Sequence, residues 1–377
     1  MNFRRLGAMF RKEAHHIVRD PRSLGMALAM PLLLLLLFGY ALSLDVDKIP
    51  TLIYDLDRTE MSRQLISQFE GSRYFDIRGF VDNDKAIEQG IDKGKILMGI
   101  AIPVDFSDKL GSGREVSVQI LLDGSDSNTA SIAKGYAESV LRTYSFNVRA
   151  DAQNRRGGMN LESPIDPRIR VWYNSSLESR NYIVPGLIAV ILMIIAALLT
   201  SMTIAREWEM GTMEQLMSTP LRPTEIVLGK MLAYFSVGIA DAIICVVVGV
   251  FVFHVPLRGS LLLLGVTSCI FLSGALFWGI LISVIAKSQL VAFQMGILSS
   301  FLPAMMLSGF IYAIDTMPVP IQAITYIFPA RYFVTILNGI YLKGVGLSIL
   351  WLEVVFLVVY AAVIFVIATR KLRAKLA

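Results

Sequence analysis

The chain is poor in the residues that most enzymes use for chemistry. Its 377 residues include two cysteines and three histidines. Both cysteines, Cys245 and Cys269, fall inside long apolar stretches, and the histidines (His15, His16 and His254) lie outside the large polar part of the chain. This distribution argues against a disulfide-stapled domain, a Cys/His zinc site and a Ser/His/Asp triad. We predict no catalytic residue, no directly bound cofactor and no metal.

A nucleotide-binding motif is also missing. The stretch Gly90-Ile-Asp-Lys-Gly94-Lys95 is superficially like a phosphate-binding loop, but three residues separate its glycines instead of four. Ile96 follows where a Ser or Thr would bind Mg²⁺. The chain therefore carries no ATP-hydrolysing motor of its own.

Charged residues make up only 17% of the chain, against about 25% in an average soluble domain. Apolar stretches of about 20 residues, the length needed to cross a bilayer, occur six times. They cover residues 24–44, 183–204, 228–253, 261–286, 290–314 and 349–369. The sequence thus predicts an α-helical polytopic membrane protein in a 1 + 5 arrangement, with residues 45–180 inserted between the first and second spans.

The formal charge of +5 is concentrated beside the membrane. Basic residues are frequent in residues 1–23, which we interpret as an amphipathic interfacial helix, and in the tail at 370–377. The insert is slightly acidic, with 21 acidic and 18 basic residues. By the positive-inside rule, both termini are expected in the cytoplasm of a bacterium, next to anionic inner-membrane lipids, with residues 45–180 on the other side. Nucleic-acid binding is not predicted, and the first span is too long for a cleaved signal peptide.

The insert alternates strand and helix patterns. Strands are predicted at 50–54, 75–81, 96–103 and 116–122, and helices at 61–70, 84–93 and 128–150. This order is typical of a small mixed α/β domain. Residues 157–167 are interpreted as a linker leading back to the membrane.

The segment 205–222, between the second and third spans, carries the most specific pattern. It is predicted to form an amphipathic helix with four charged side chains, Arg206, Glu207, Glu209 and Glu214, and to end at Pro220. By composition alone, an ordinary charged loop explains it equally well.

The sequence of this segment resembles a signature of ABC-2 type transporter permeases, in the subgroup with a large extracytoplasmic domain after the first span. The similarity continues from Glu225 to Gly229-Lys230 and reappears in Leu307-Ser-Gly309, Pro329-Ala-Arg-Tyr-Phe333 and Leu342-Lys-Gly344. With the 1 + 5 arrangement it covers nearly the whole chain. One departure is Asn338, where relatives often have Arg, so the resemblance extends no charge-based role to this position.

The resemblance implies the membrane subunit of an ATP-driven exporter. A separate ABC ATP-binding subunit would bind the segment 205–222, with Arg206, Glu207, Glu209 and Glu214 as coupling residues. A second permease, identical or related, would complete the pathway, and a periplasmic adaptor is a possible partner of the insert. The implied substrates are drugs, lipophilic or cationic compounds, or a lipid-linked molecule.

Three further residues are candidates for the pathway or a gate. Asp241 lies in the middle of the third span, where an acid is either functional or hydrogen-bonded to a neighbouring helix. Residues 315–345 are interpreted as short re-entrant helices on the extracytoplasmic side, with Pro329 and Arg331 at the turn between them. Arg331 either lines a gate or extends to the lipid headgroups.

Two functions of other classes compete with export. A membrane-anchored receptor or assembly protein would act through the insert and would not need the segment 205–222. An ion-coupled transporter would depend on Asp241, but the sequence shows a single central acid and no inverted repeat.

Overall fold

The computed structural model describes residues 2–42, 48–155, 173–174, 178–286 and 288–376. It divides into two compact units, one formed by Met1–Leu44 with Val171–Ala377 and the other by Asp45–Arg170. The linker expected at 157–167 lies outside the described residues.

The N-terminal part of the first unit consists of two helices, α1 (Phe3–Arg19) and α2 (Pro21–Ala41). Asn2 caps α1, since its side chain accepts a hydrogen bond from the backbone N–H of Arg4 at 3.0 Å. Helix α1 ends at Arg19 because Pro21 disfavours helical geometry at Asp20, the residue before it. The same proline begins α2 at a position where a missing N–H has no cost.

The inserted unit alternates strands and helices. Its elements are β1 (Ile49–Asp55), α3 (Glu60–Glu70), β2 (Phe75–Phe80), α4 (Asp84–Asp92), β3 (Met98–Ile102), α5 (Phe106–Gly111), β4 (Gln119–Leu122) and α6 (Ser127–Arg155). The short helix α5 is absent from the sequence-based prediction. The strand order is β2-β1-β3-β4, with β4 antiparallel and the other pairs parallel. Every residue of β3 is buried, as expected for a strand covered on both faces.

The first unit continues with nine helices among the described residues. They are α7 (Arg180–Ser201), α8 (Thr203–Glu209), α9 (Thr212–Met217), α10 (Pro223–Phe251), α11 (Leu261–Ile285), α12 (Gln289–Met306), α13 (Val319–Thr325), α14 (Pro329–Asn338) and α15 (Leu347–Leu376). Six segments are long and apolar enough to cross a membrane: α2, α7 together with α8, α10, α11, α12 and α15. The chain is therefore a multi-pass membrane protein.

Helix α7 lies at the centre of this unit and packs against α2, α10, α11, α12 and α14. Small residues let it approach α11 closely. A Cβ atom on Gly279 of α11 would lie 2.1 Å from Thr200 Oγ1 and 2.6 Å from the Ala197 carbonyl oxygen. Thr200 also donates a hydrogen bond of 2.9 Å to the carbonyl of Leu276 across this interface. Such small-residue contacts are a common way to pack helices within a membrane, where apolar burial does not drive association.

The chain between α12 and α15 contains only short helices. Neither α13 nor α14 is long enough to cross a bilayer alone, and a turn of π-helix (Gly339–Lys343) follows α14. Backbone groups of this π-helical turn are paired with the loop before α11. Arg258 and Gly259 donate to the carbonyls of Tyr341 and Ile340, at 3.2 and 2.9 Å. Such pairing lets irregular backbone exist near a membrane.

Candidate functional site

The segment 205–222 contains two helices instead of the single helix expected from the sequence. Helix α8 follows α7 after one residue, Met202, and α9 begins after Gly211. Gly211 has a φ of +70°, in the left-handed region that glycine adopts without strain. The glycine between two short amphipathic stretches is the sequence signal for this break.

The charged residues on α8 differ in exposure: Glu207 is buried, Arg206 is half-buried and Glu209 is exposed. Glu207 is buried, and its Oε1 atom lies 3.1 Å from the Nζ atom of Lys230 on α10. The same oxygen accepts a hydrogen bond of 2.5 Å from Lys12 on α1. Lys230 is itself only 1% exposed and also donates to Glu13 Oε1 at 2.9 Å. These four side chains (Lys12, Glu13, Glu207 and Lys230) are called the ion cluster below.

Two lysines and two carboxylates balance each other in the ion cluster. Desolvation acts against the charged form of Glu13, but the neighbouring Lys230 and Lys12 outweigh it and lower the pKa of this carboxyl group. Desolvation also acts against the charge on Lys12, and the contacts with Glu207 and Glu13 nevertheless raise its pKa. Both groups therefore remain charged near neutral pH, and the cluster joins α1, α8 and α10 by ion pairs.

Glu13 and Lys230 were not predicted as site residues, because nothing in either local pattern shows that they meet. One signal was present in the sequence: Met9 and Glu13 are four residues apart, so they share one face of α1, and the structure shows this face to be buried. Gly229 explains how α1 comes so near. A Cβ atom at this position would lie 2.6 Å from Met9 Cγ, which places the backbone of α10 directly against α1.

Arg206 and Glu209 connect α8 to other helices. The Arg206 guanidinium lies 3.2 Å from His16 Nε2 on α1 and donates to Gln289 Oε1 on α12, also at 3.2 Å. Glu209 accepts a hydrogen bond of 2.8 Å from the backbone N–H of Gln289, where α12 begins. A carboxylate at this end of a helix is favoured by the helix dipole.

A serine on α11 completes the attachment of α8. Ser283 Oγ accepts hydrogen bonds from the backbone N–H groups of Ile204 and Ala205 at 2.8 and 2.9 Å. These donors belong to the first turn of α8 and have no partner within their own helix. Helix α8 is thus fixed to α1, α10, α11 and α12 by polar contacts.

Helix α9 has a different environment. Glu214 is exposed, and the apolar side chains of Met210 and Met217 nearby are 65% and 46% exposed. Met213 and Leu216 of the same helix are buried. Of the four predicted coupling residues, Glu209 and Glu214 are both exposed. Glu209 accepts its hydrogen bond from the start of α12, whereas Glu214 lies on the exposed face of α9.

The three candidate pathway residues lie apart from the ion cluster in sequence and in their contacts. Asp241 on α10 is fully buried, and neither carboxylate oxygen has a hydrogen-bond partner among the described residues. Pro329 is buried at the first position of α14. Arg331 donates a hydrogen bond to Thr325, and its guanidinium carbon lies 3.8 Å from the ring centre of Tyr326. This cation–π contact connects α14 to the end of α13.

Comparisons with known proteins agree with this architecture. The model of a family described as "ABC-2 family transporter protein" matches residues 21–370. The probable multidrug ABC transporter permease YbhS of Escherichia coli is 39% identical over 97% of this chain and 96% of its own length. The probable multidrug ABC transporter permease YbhR of the same organism is 33% identical over 93% of each chain. The inner membrane transport permease YhhJ is 27% identical over 86% of this chain and 85% of its own.

Proposed function

Because the chain belongs to the ABC-2 transporter family, we propose that it is the permease subunit of an ATP-driven exporter in the bacterial inner membrane. Two permeases, identical or related, form the translocation pathway, and two ATP-binding subunits supply the energy. The relatives named as multidrug permeases favour drugs or other lipophilic or cationic compounds as substrates. A lipid-linked molecule is the second class of substrate.

The observation that carries this proposal is the contrast between α8 and α9. Helix α9 presents an exposed surface with one acid and two nearby methionines, Met210 and Met217. Helix α8, directly before it, is held by ion pairs and hydrogen bonds to four other helices. A subunit bound to α9 would therefore transmit its movement to the spans through α8.

This arrangement divides the coupling residues into two roles. Glu214 contacts the ATP-binding subunit, as one charged group in an interface with an apolar centre. Arg206, Glu207 and Glu209 keep α8 in place, so that movement of α9 reaches the spans. A receptor would need no such connection.

Charge reversal at Glu214 tests the first role. In tagged protein purified in mild detergent from its own membrane, Glu214→Lys should lose the co-purifying ATPase subunit while the permease itself is recovered in normal amounts. Glu88→Lys reverses the charge of another exposed glutamate, on α4 of the inserted unit, and is the matched control that should retain the ATPase. Full ATPase recovery with Glu214→Lys contradicts the assignment. If no ATPase co-purifies with the wild-type protein, and other proteins bind it only through residues 50–170, the receptor function is favoured instead.

The candidate pathway residues are tested by transport. Asp241→Asn keeps the size of the side chain and removes its charge, and it should reduce export by the assembled complex without reducing ATPase binding. If Arg331 lines a gate, Arg331→Gln should likewise reduce export without reducing ATPase binding. If Arg331 serves only packing, the change should lower the thermal midpoint and leave export per folded molecule unchanged.

The inserted unit is proposed to lie outside the cytoplasm, where it docks a periplasmic adaptor. Deletion of residues 50–170 should then abolish cross-linking to the adaptor and retain the ATP-binding subunit. Cross-linking that persists after the deletion would assign the adaptor contact to another part of the chain.

A further inference from the structure

A cavity of about 660 Å³ lies beside the ion cluster. It is bordered by α1, α8, α9 and α10, and four cations line it: Lys12, Arg19, Arg206 and Lys230. Two carboxylates, Glu13 and Glu207, face these cations and are already paired with the two lysines. The two arginines have no carboxylate partner among the described side chains, so the wall retains positive charge.

A second, smaller and mostly apolar cavity lies next to the first. It has a volume of about 110 Å³ and shares His16, Arg206 and Tyr234 with the larger one. Its other walls come from Leu24 and Ala27 on α2, Leu199 on α7, Met202 between α7 and α8, and Val237 on α10. Asp20 also borders it. Polar and apolar surfaces therefore meet at Arg206.

We propose that these adjacent cavities bind one anionic phospholipid. Its phosphate lies in the larger cavity against Arg19, Arg206 and His16, and the start of an acyl chain enters the smaller cavity between α2, α7 and α10. A phosphate group complements the positive charge of Arg19 and Arg206, and basic pockets between membrane spans favour anionic headgroups. A free phosphate ion would satisfy the arginines but leave the apolar cavity unused.

The geometry also indicates where the rest of the lipid would lie. Helix α2 exposes Met26 and Met30, 63% and 48% accessible, on its outer side, as a span does when it faces acyl chains. A lipid whose phosphate is bound in the larger cavity can extend its second acyl chain along this surface. Such a lipid would contact α1, α8 and a membrane span together, and would stabilise the attachment of α8 described above.

Native mass spectrometry of the full-length protein tests the proposal, and it requires neither the ATPase nor transport. Protein is exchanged into mixed micelles containing phosphatidylglycerol and phosphatidylcholine in equal amounts. One tightly retained phosphatidylglycerol is expected for the wild type. Arg19→Gln should reduce its retention about fivefold, the factor expected from one basic residue near a lipid headgroup. Arg19 makes no ion pair among the described residues, so this change should not disturb folding.

Two matched controls separate a built site from general attraction. Arg11→Gln removes the same charge from the same helix, away from both cavities, and should retain the lipid. Ala27→Phe fills the apolar cavity and should release the lipid, whereas Ala29→Phe, on the exposed side of α2, should not.

Three results would overturn the proposal. Equal loss with Arg11→Gln and Arg19→Gln would mean that only the overall charge of α1 matters. Full retention with Ala27→Phe would mean that no acyl chain enters the apolar cavity. Inorganic phosphate that displaces the lipid and stabilises both Ala27→Phe and the wild type equally would assign the site to a free anion.

Discussion

Lys230 and Glu13 form a buried ion pair of 2.9 Å between residues 217 positions apart in the sequence. The pair joins the N-terminal amphipathic helix to the helix that follows the segment 205–222. Since Lys230 also contacts Glu207, this one amino group holds α1, α8 and α10 together.

The first prediction concerns this pair. Lys230→Met should lower the stability of the detergent-solubilised protein by up to about 3–5 kcal/mol, because it removes the buried cation that Glu13 and Glu207 share and leaves them only the half-exposed Lys12. The double variant Lys230→Met/Glu13→Gln should recover part of this loss, since one uncompensated charge is removed. Thermal unfolding of the wild type, both single variants and the double variant measures the coupling. Lys371→Met, an exposed change in the C-terminal tail, is the control; strictly additive effects would show that the two residues are not coupled.

A second prediction concerns pH. The pKa of Glu13 is below its ordinary value of 4.5, so the unfolded chain takes up a proton at this group before the folded protein does. Its contribution to stability is therefore complete above about pH 4.5 and is lost as the pH falls through the lower, folded-state pKa. Lys12 has a raised pKa, so its contribution is present below 10.5 and is lost at still higher pH. The fall in thermal midpoint on acidification should be smaller in Glu13→Gln than in the wild type, and an identical fall would contradict the assignment.

A third prediction concerns the turn between α8 and α9. Gly211→Ala should cost about 1 kcal/mol, because a side chain disfavours the left-handed conformation found there. No atom would lie within 4 Å of the added Cβ, so backbone strain is the whole effect. If the chain works as the proposed exporter, stimulation of ATPase activity by the proposed drug substrates should fall in the reconstituted complex. Gly211→Asn should preserve it, because asparagine tolerates this conformation; equal loss in both variants would exclude the backbone explanation.

A fourth prediction compares two glycines of α11. Gly279→Ala should destabilise the protein, because its Cβ would collide with Thr200 and with the backbone of Ala197 on α7. Gly265→Ala lies in the same helix with open space around its Cβ, and should be neutral or stabilising by up to about 1 kcal/mol. Thermal midpoints of the two variants provide the test. If both variants unfold at the same temperature, the close approach of α7 and α11 does not limit stability.

The sequence predicted those parts of the fold that depend on local patterns. Six apolar stretches predicted six spans, and the structure has six helices of suitable length and composition. The ends of the helices were harder to predict than their existence. The third span begins at Pro223, five residues before the predicted start, because Glu225 accepts a hydrogen bond from the Arg222 N–H and extends the helix into polar sequence. The last helix continues to Leu376 because lysine and arginine are good helix formers that an apolar pattern does not detect.

The candidate site was only partly accessible from the sequence. The family resemblance pointed to Arg206, Glu207, Glu209 and Glu214, and their roles as coupling residues stay a prediction. Which of them face inward depends on tertiary contacts. Glu207 is buried because Lys230 and Lys12 lie beside it, and neither is its neighbour in the sequence. The pattern of one segment does not reveal a charge supplied by another.

The hydrogen bonds of Ser283 and Gln289 have a mechanical consequence. Helix α8 is attached to a different span at each end. Its start is hydrogen-bonded to Ser283 of α11, and its end is hydrogen-bonded to the first residue of α12. If a bound subunit moves α9 as proposed, the displacement of α8 would be transmitted to α11 and α12 together. Weakening one of the two attachments would then direct the movement mainly to the other span.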